Sequence, residues 1–284
     1  MVRNNRCAFL MSSCDDYEDL WEPFFECLDK FSKGLDDSIS LSVYLNTEKK
    51  QFHPKKNLDI NVVTLNQKED KKLPWSKRLI DVLKRLQEEY VFLVLDDYFV
   101  CDEIAWNLFD EILEIMDNDR SIASFQLFGT RARNNAPELY EKSTELKYSL
   151  MERDGRKTHF VPTIWRKSIL LKWLRPWESI WAFESCGSAR ARRWNYPEKV
   201  MVVDNPPVYD YIWIRNCSAV INGKWLAEKE LIEFFEQNEI LVDWNRREKM
   251  TYEEYHSITM SDIFRRYSPG EFLVKCINRV RSFF

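Results

Sequence analysis

The 284-residue chain is long enough for one large α/β domain, or one domain with a small appendage, and 45% hydrophobic residues provide for a substantial core. A formal net charge of −4 argues against nucleic acid as the main partner. With six glycines and neither a P-loop nor a dinucleotide fingerprint, any phosphate must be met by a metal, by basic side chains or by helix N-termini.

Seven cysteines (7, 14, 27, 101, 186, 217 and 276) form no CxxC pair. With no signal peptide at the start, they read as reduced thiols in a cytoplasmic protein. His53, His159 and His256 are far apart and offer no HExxH site. No run of about 18 apolar residues exists, so no membrane span is expected.

In chain order, Cys7–Ser13 reads as a short apolar strand ending in small polar residues. Leu20–Phe31 carries apolar residues at helical spacing, with Pro23 tolerated in the first turn. Ile39–Leu45 and Ile60–Leu65 are strands, and Trp75–Glu89 is an amphipathic helix. Val91–Leu95 is a fully apolar run, predicted as a strand buried on both faces. Ile104–Met116 is a helix and Ile122–Phe128 a strand. This alternation predicts an α/β fold: an open, mostly parallel sheet with helices on both faces. Residues 129–160 are charge-rich and read as irregular or as an antiparallel hairpin. Beyond them come a strand at Phe160–Trp165, a helix at Lys167–Leu174 and a Trp-rich turn plus helix at Trp177–Trp194. A strand at Val200–Val203, a hairpin strand within Asp210–Ile221 and an acidic helix at Ala227–Asn238 follow. One catalytic-size domain over 1–240, with halves meeting near 128, and a helical C-terminal extension over 241–284 is the simplest division.

The apolar run ends in Asp96 and Asp97. Carboxylates at the C-terminal end of a buried strand sit at the crevice where open α/β sheets bind ligands. A pair there can hold magnesium or manganese against a diphosphate, because both cations prefer oxygen ligands. An Asp-rich turn exposed to solvent accounts for the same two residues.

Four segments, 9–25, 74–86, 92–99 (FLVLDDYF) and 163–188, resemble in order and spacing the small glycosyltransferases of the GT-A fold that serve bacterial capsule, lipopolysaccharide and other surface-polysaccharide pathways. The resemblance implies a Rossmann-like sheet that binds a nucleotide-diphosphate sugar and transfers the sugar, with inversion, to a growing glycan or lipid-linked acceptor. It implies donor contacts from Ser12, Ser13 and Asp15, from Ser76 and Arg78, and from Asp96 and Asp97, with Asp97 holding the divalent cation. In these enzymes the acidic motif is Asp-X-Asp; here the carboxylates are adjacent and position 98 is Tyr, which leaves metal dependence open. Ser13 or Asp15 can equally cap a helix, and Arg78 can be an exposed helix residue. An inverting base is expected at the start of a helix after an aromatic turn, which points to Glu184, with Glu178 as the second candidate. A structural pairing of Glu184 with Arg190 or Arg192 is the alternative. Trp165, Trp177 and Trp181 are candidates for stacking against an acceptor sugar, or are core anchors.

In the tail, Phe264–Phe284 mixes apolar residues with five basic ones. A helix beginning near Glu271 can lie on the anionic inner face of the membrane, pack on the domain, or pair with a second copy in a homodimer. Two other functions fit parts of the pattern. A nucleotidyltransferase also uses strand-end Asp pairs, but brings a glycine-rich signature that SSCDDYED lacks. A non-catalytic carbohydrate-binding protein would tolerate the altered acidic motif.

Overall fold

Strand residues that alternate between two apolar partners need a layer on each side, and the first strand shows this directly. In the computed structural model β1 (Cys7–Ser12) is buried along its whole length. The structure describes residues 6–33, 41–70, 72–128, 139–141, 146–151, 157–205, 207–215, 217–258 and 276–283. A 3-10 turn over Asp15–Leu20 leads into α1 (Trp21–Phe31). Next come β2 (Ser42–Thr47), β3 (Val62–Asn66), α2 (Trp75–Leu83) and β4 (Tyr90–Leu95). Residues 39–40 of the expected second strand lie outside the described residues. The helix expected to reach Glu89 stops at Leu83, and the Glu89 carbonyl accepts instead from Lys167 N at 3.0 Å.

The chain continues through α3 (Trp106–Asn118), β5 (Ile122–Gln126), β6 (Leu139–Glu141) and β7 (Lys147–Leu150). β6 and β7 form the antiparallel hairpin that was one of the two readings of 129–160; the rest of 129–156 apart from 146–151 lies outside the described residues. β8 (Thr163–Arg166) and α4 (Lys167–Trp173) precede a continuous helical stretch. That stretch is α5 (Ile180–Ala182), a π-turn over Phe183–Gly187, and α6 (Ser188–Arg193). β9 (Lys199–Asn205) completes the large sheet.

The large sheet has nine strands in the order β3-β2-β1-β4-β8-β5-β9-β7-β6. β7 and β8 run opposite to the other seven, so the sheet is open and mostly of one direction, as expected. Phe9, Met11, Phe92 and Val94 face one core with α1 and α3, whereas Ala8, Leu10, Val91 and Leu93 face another with α2 and α4. Each fully buried Phe or Leu contributes about 1.5–3 kcal/mol, so both layers are needed to hold β1 and β4 at the centre.

Two registers set the functional edge. Ser12 lies opposite Asn46 of β2 and Leu95 of β4, so the C-terminal ends of three parallel strands finish level. β8 is antiparallel to β4, with Thr163 opposite Leu93, so the segment just before β8 arrives at that same edge.

The expected hairpin strand within Asp210–Ile221 is mostly single bridges, Val100 to Tyr211 and Ile214 to Cys217. β10 (Val220–Ile221) and β11 (Lys224–Leu226) turn through Asn222 and Gly223, both at positive φ (53° and 79°), the geometry of an Asn-Gly hairpin turn. α7 (Lys229–Gln237) follows, then β12 (Lys249–Met250), which pairs with β11, and α8 (Tyr252–Ser257). Residues past 240 therefore continue the packing of the domain: Trp244 lies 5.0 Å from Trp225, and Arg247 grips Asp19 with two bonds of 2.6 and 2.7 Å. Residues 276–281 are helical; 259–275 and 284, which hold much of the expected tail stripe, lie outside the described residues.

Candidate active site

At the level edge of β2, β1 and β4 the sheet opens into a cleft of about 520 Å³. Its floor is Ser12, Ser13, Leu95, Asp96 and Asp97; its walls include Arg78, Tyr98, His159, Trp181, Glu184 and Asn222. This volume is in the range of small-molecule sites, roughly 300–1,000 Å³.

The floor is tightly wired. Ser13 Oγ donates to Asp96 Oδ2 while accepting from Trp21 Nε1 at 2.7 Å. Ser12 Oγ accepts from Trp75 Nε1 at 2.9 Å. Arg78, buried rather than exposed, donates from Nη1 to the Ser13 carbonyl at 2.9 Å and pairs with Glu48 at 3.4 Å. Neither Ser13 nor Asp15 caps the following turn, whose cap position is Cys14.

Burial pushes the Asp96 carboxyl above the ordinary carboxylate range, and the adjacent Asp97 charge adds to it. Asp97 is raised for the same first reason, offset in part by a hydrogen bond from Ser218. Two crowded carboxylates that resist ionising are a natural place for a cation. Among the described residues no group of three His, Cys, Asp or Glu side chains could hold a metal. The two carboxylates nevertheless suit magnesium or manganese, which bind through one or two carboxylates and take further oxygens from substrate phosphates. Tyr17 borders the pair and is pushed up to about 12 by burial and the Asp96 charge, with the Arg247 guanidinium 4.1 Å from its ring centre.

Across the cleft, Glu184 sits inside the π-turn, a distortion frequent at functional sites. Its Oε1 accepts from Phe160 N at 3.2 Å and lies 3.1 Å from His159 Nε2. The expected alternative pairing with Arg190 is absent, because Arg190 is committed elsewhere. Thr158 secures the turn: its Oγ1 bonds the carbonyls of Phe183 (3.0 Å) and Glu184 (2.9 Å) and meets Ser188 Oγ at 2.8 Å. Gly187 is what lets Thr158 approach, since a Cβ there would lie 2.9 Å from Thr158 Oγ1 and 3.0 Å from Cγ2. Gly187→Ala is therefore expected to cost about 1–3 kcal/mol by overpacking. It should also displace Thr158 with its neighbour His159. Melting temperature and turnover measured together check this; unchanged turnover would detach Thr158 from the site.

Five expected contacts are not on the cleft. Glu178 is completely buried away from the cleft and bonds Arg190 at 2.5 and 3.3 Å. Trp165 is buried edge-on against Trp173 at 5.7 Å, where no acceptor reaches it. Ser76 is fully buried, with its N–H donating to the Glu178 carbonyl at 3.1 Å. The Asp15 carboxylate accepts from Thr47 Oγ1 (2.5 Å) and from Lys49 and Lys50 N–H groups, tying the turn after β1 to the loop after β2. Trp177 is held by the tail, where its Nε1 donates to Ser282 Oγ at 3.2 Å. Ser12, Ser13, Arg78, Asp96, Asp97, Trp181 and Glu184 do share the cleft. His159 and Tyr98 are additions of the tertiary structure; a strand at 160–165 was legible, but its reversed direction, which brings His159 to this edge, was not.

The fold and the cleft define an open α/β protein with a cleft at the C-terminal edge of its central strands. No protein-family profile and no curated protein sequence matches the chain. Among solved structures it is similar to S. aureus TarS 1–349 in complex with UDP, at TM-score 0.46 and 14% identity over 98% of this chain and 80% of that one. Another structure of TarS 1–349 is similar at TM-score 0.42 and 14% identity, over 72% of this chain and 60% of that one. A CMP:2-keto-3-deoxy-manno-octonic acid synthetase complexed with CTP is similar at TM-score 0.42 and 8% identity, over 82% and 97% of the two chains.

Proposed function

We propose that this protein is a glycosyltransferase: it binds a nucleotide-diphosphate sugar in the cleft and transfers the sugar, with inversion, to a hydroxyl of a growing surface glycan or lipid-linked oligosaccharide on the cytoplasmic side of the membrane. The observation that carries the reading is the pairing, in one cleft, of a strand-end carboxylate pair with a separate carboxylate held by His159 and Phe160 N.

On this reading Asp96 and Asp97 lie against the donor's ribose and diphosphate; Asp97 would hold a divalent cation, which would supply positive charge beside the diphosphate. Arg78 and the Ser12–Ser13 turn shape the nucleoside end. Glu184 takes the proton from the acceptor hydroxyl as the new bond forms on the opposite face of the sugar from the leaving group. Trp181, on the rim, offers its ring to the acceptor sugar.

Thermal-shift measurement against a panel of nucleotide sugars tests the binding half, because a ligand of the native state raises the melting temperature by mass action. Release of nucleoside diphosphate from the sugar that shifts the protein tests the chemistry. Stabilisation by nucleoside triphosphates with release of pyrophosphate would instead make it a nucleotidyltransferase, and binding with no turnover a carbohydrate-binding protein.

A further inference from the structure

We infer that the C-terminal segment 276–283, helical over 276–281, and the segment to which it is docked form an anchor for an anionic lipid surface. The inference is independent of what the cleft transfers.

The inner side of this helix is committed to the domain. Ser282 is buried; its Oγ accepts from Trp177 Nε1 at 3.2 Å and its carbonyl accepts from Arg190. The Arg281 guanidinium lies 4.5 Å from the Trp177 ring centre, and the Arg279 carbonyl 4.0 Å from Cys186 Sγ. The outer side is a different matter. Ile277 is 49% exposed, Val280 60% and Phe283 37%. Ile277 and Val280, spaced by three, lie along one stripe of the helix, and Phe283 follows in the turn just after it. Trp181, 72% exposed, belongs to the same docking segment, between Trp177 and Cys186.

Charge separates this surface from the rest of the molecule. In residues 179–194 and 276–283 the one carboxylate is Glu184, which lies in the cleft, while Arg192, Arg193, Arg279 and Arg281 are exposed. This occurs in a chain whose net charge is −4. Single exposed apolar residues need no explanation, but an apolar stripe edged by arginines is the pattern of a helix lying in a membrane interface. The arginines also choose the occupant. A symmetric contact between two copies would bring like charges together, whereas anionic headgroups attract all four. Docked this way, the molecule holds the Trp181 rim of its cleft beside the bilayer.

The test is sedimentation of the full chain with vesicles of phosphatidylcholine, with and without about 30 mol% phosphatidylglycerol. Wild type should bind the anionic vesicles roughly tenfold better than neutral ones, less so as salt rises. The double variant Ile277→Ser, Val280→Ser should lose roughly tenfold of that binding with an unchanged melting temperature, because both residues are exposed. If that pair fails to fold, Arg192→Gln with Arg193→Gln reads the same surface and should flatten the salt dependence. Equal wild-type binding to neutral and anionic vesicles, or wild-type binding by the folded variants, overturns the inference. So does a dimer in solution that the Ile277→Ser, Val280→Ser pair dissolves while vesicle binding is absent.

Discussion

Glu184→Gln is expected to lower sugar transfer by roughly a hundredfold or more while donor affinity stays close to wild type, the scale on which a lost general base is felt. The side chain keeps its shape and its acceptor oxygen for Phe160 N, so the π-turn has no reason to rearrange. Glu178→Gln supplies the contrast. It uncouples a fully buried carboxylate from Arg190, and breaking a buried ion pair costs about 3–5 kcal/mol. The loss should therefore appear in the melting temperature first, with turnover falling only as folded protein is lost. Transfer rates normalised to folded protein decide between them. A fully active Glu184→Gln, or a product that keeps the donor's anomeric configuration, removes Glu184 as an inverting base.

Asp96→Asn is expected to make the protein more stable at neutral pH and unable to use its donor. The sign follows from the raised carboxyl groups. From the ordinary carboxylate range upward the folded chain holds protons that the unfolded chain has already released, on Asp97 up to about pH 6 and on Asp96 up to about pH 8. The stability this contributes is complete below the ordinary range and is lost as pH rises through the folded values, at up to about 1.4 kcal/mol per pH unit for each such proton. The amide cannot ionise, so Asp96→Asn relieves both the buried charge and its repulsion of Asp97. Each kilocalorie recovered reads as a melting-temperature gain of roughly 2–4 °C in a protein of this size. Difference curves of melting temperature against pH, wild type minus variant, should slope downward between pH 5 and about pH 8. Manganese added alone should stabilise wild type more than either Asp96→Asn or Asp97→Asn, since two carboxylates bind the cation better than one. Parallel curves, or donor turnover by Asp97→Asn at the wild-type rate, would remove the pair from the donor site.

Much of the site was legible because it depends on strand ends. An apolar run such as Val91–Leu95 stops where the chain leaves the core, so the carboxylates that follow it had to be at an edge. Ser12 and Ser13 follow the same logic at the end of β1. The failures share a different cause. Trp165 and Trp181 stand in equally aromatic surroundings in the sequence, but one points into the second core and the other to solvent. Glu178 and Glu184 are six residues apart, one just before the helical stretch and one within it, and which of them is consumed by an arginine depends on the tail helix and on Arg190, twelve residues beyond Glu178.

By itself the sequence determined the open α/β sheet, its two apolar layers and the place of the Asp pair, because burial periodicity and strand termination are local properties of the chain. Only the tertiary structure decided that β8 enters between β4 and β5 in reverse, bringing His159 and Glu184 to face Asp96 and Asp97. Strand direction and partner are set by the packing of segments dozens of residues apart, and no local pattern of apolar and polar residues encodes that choice.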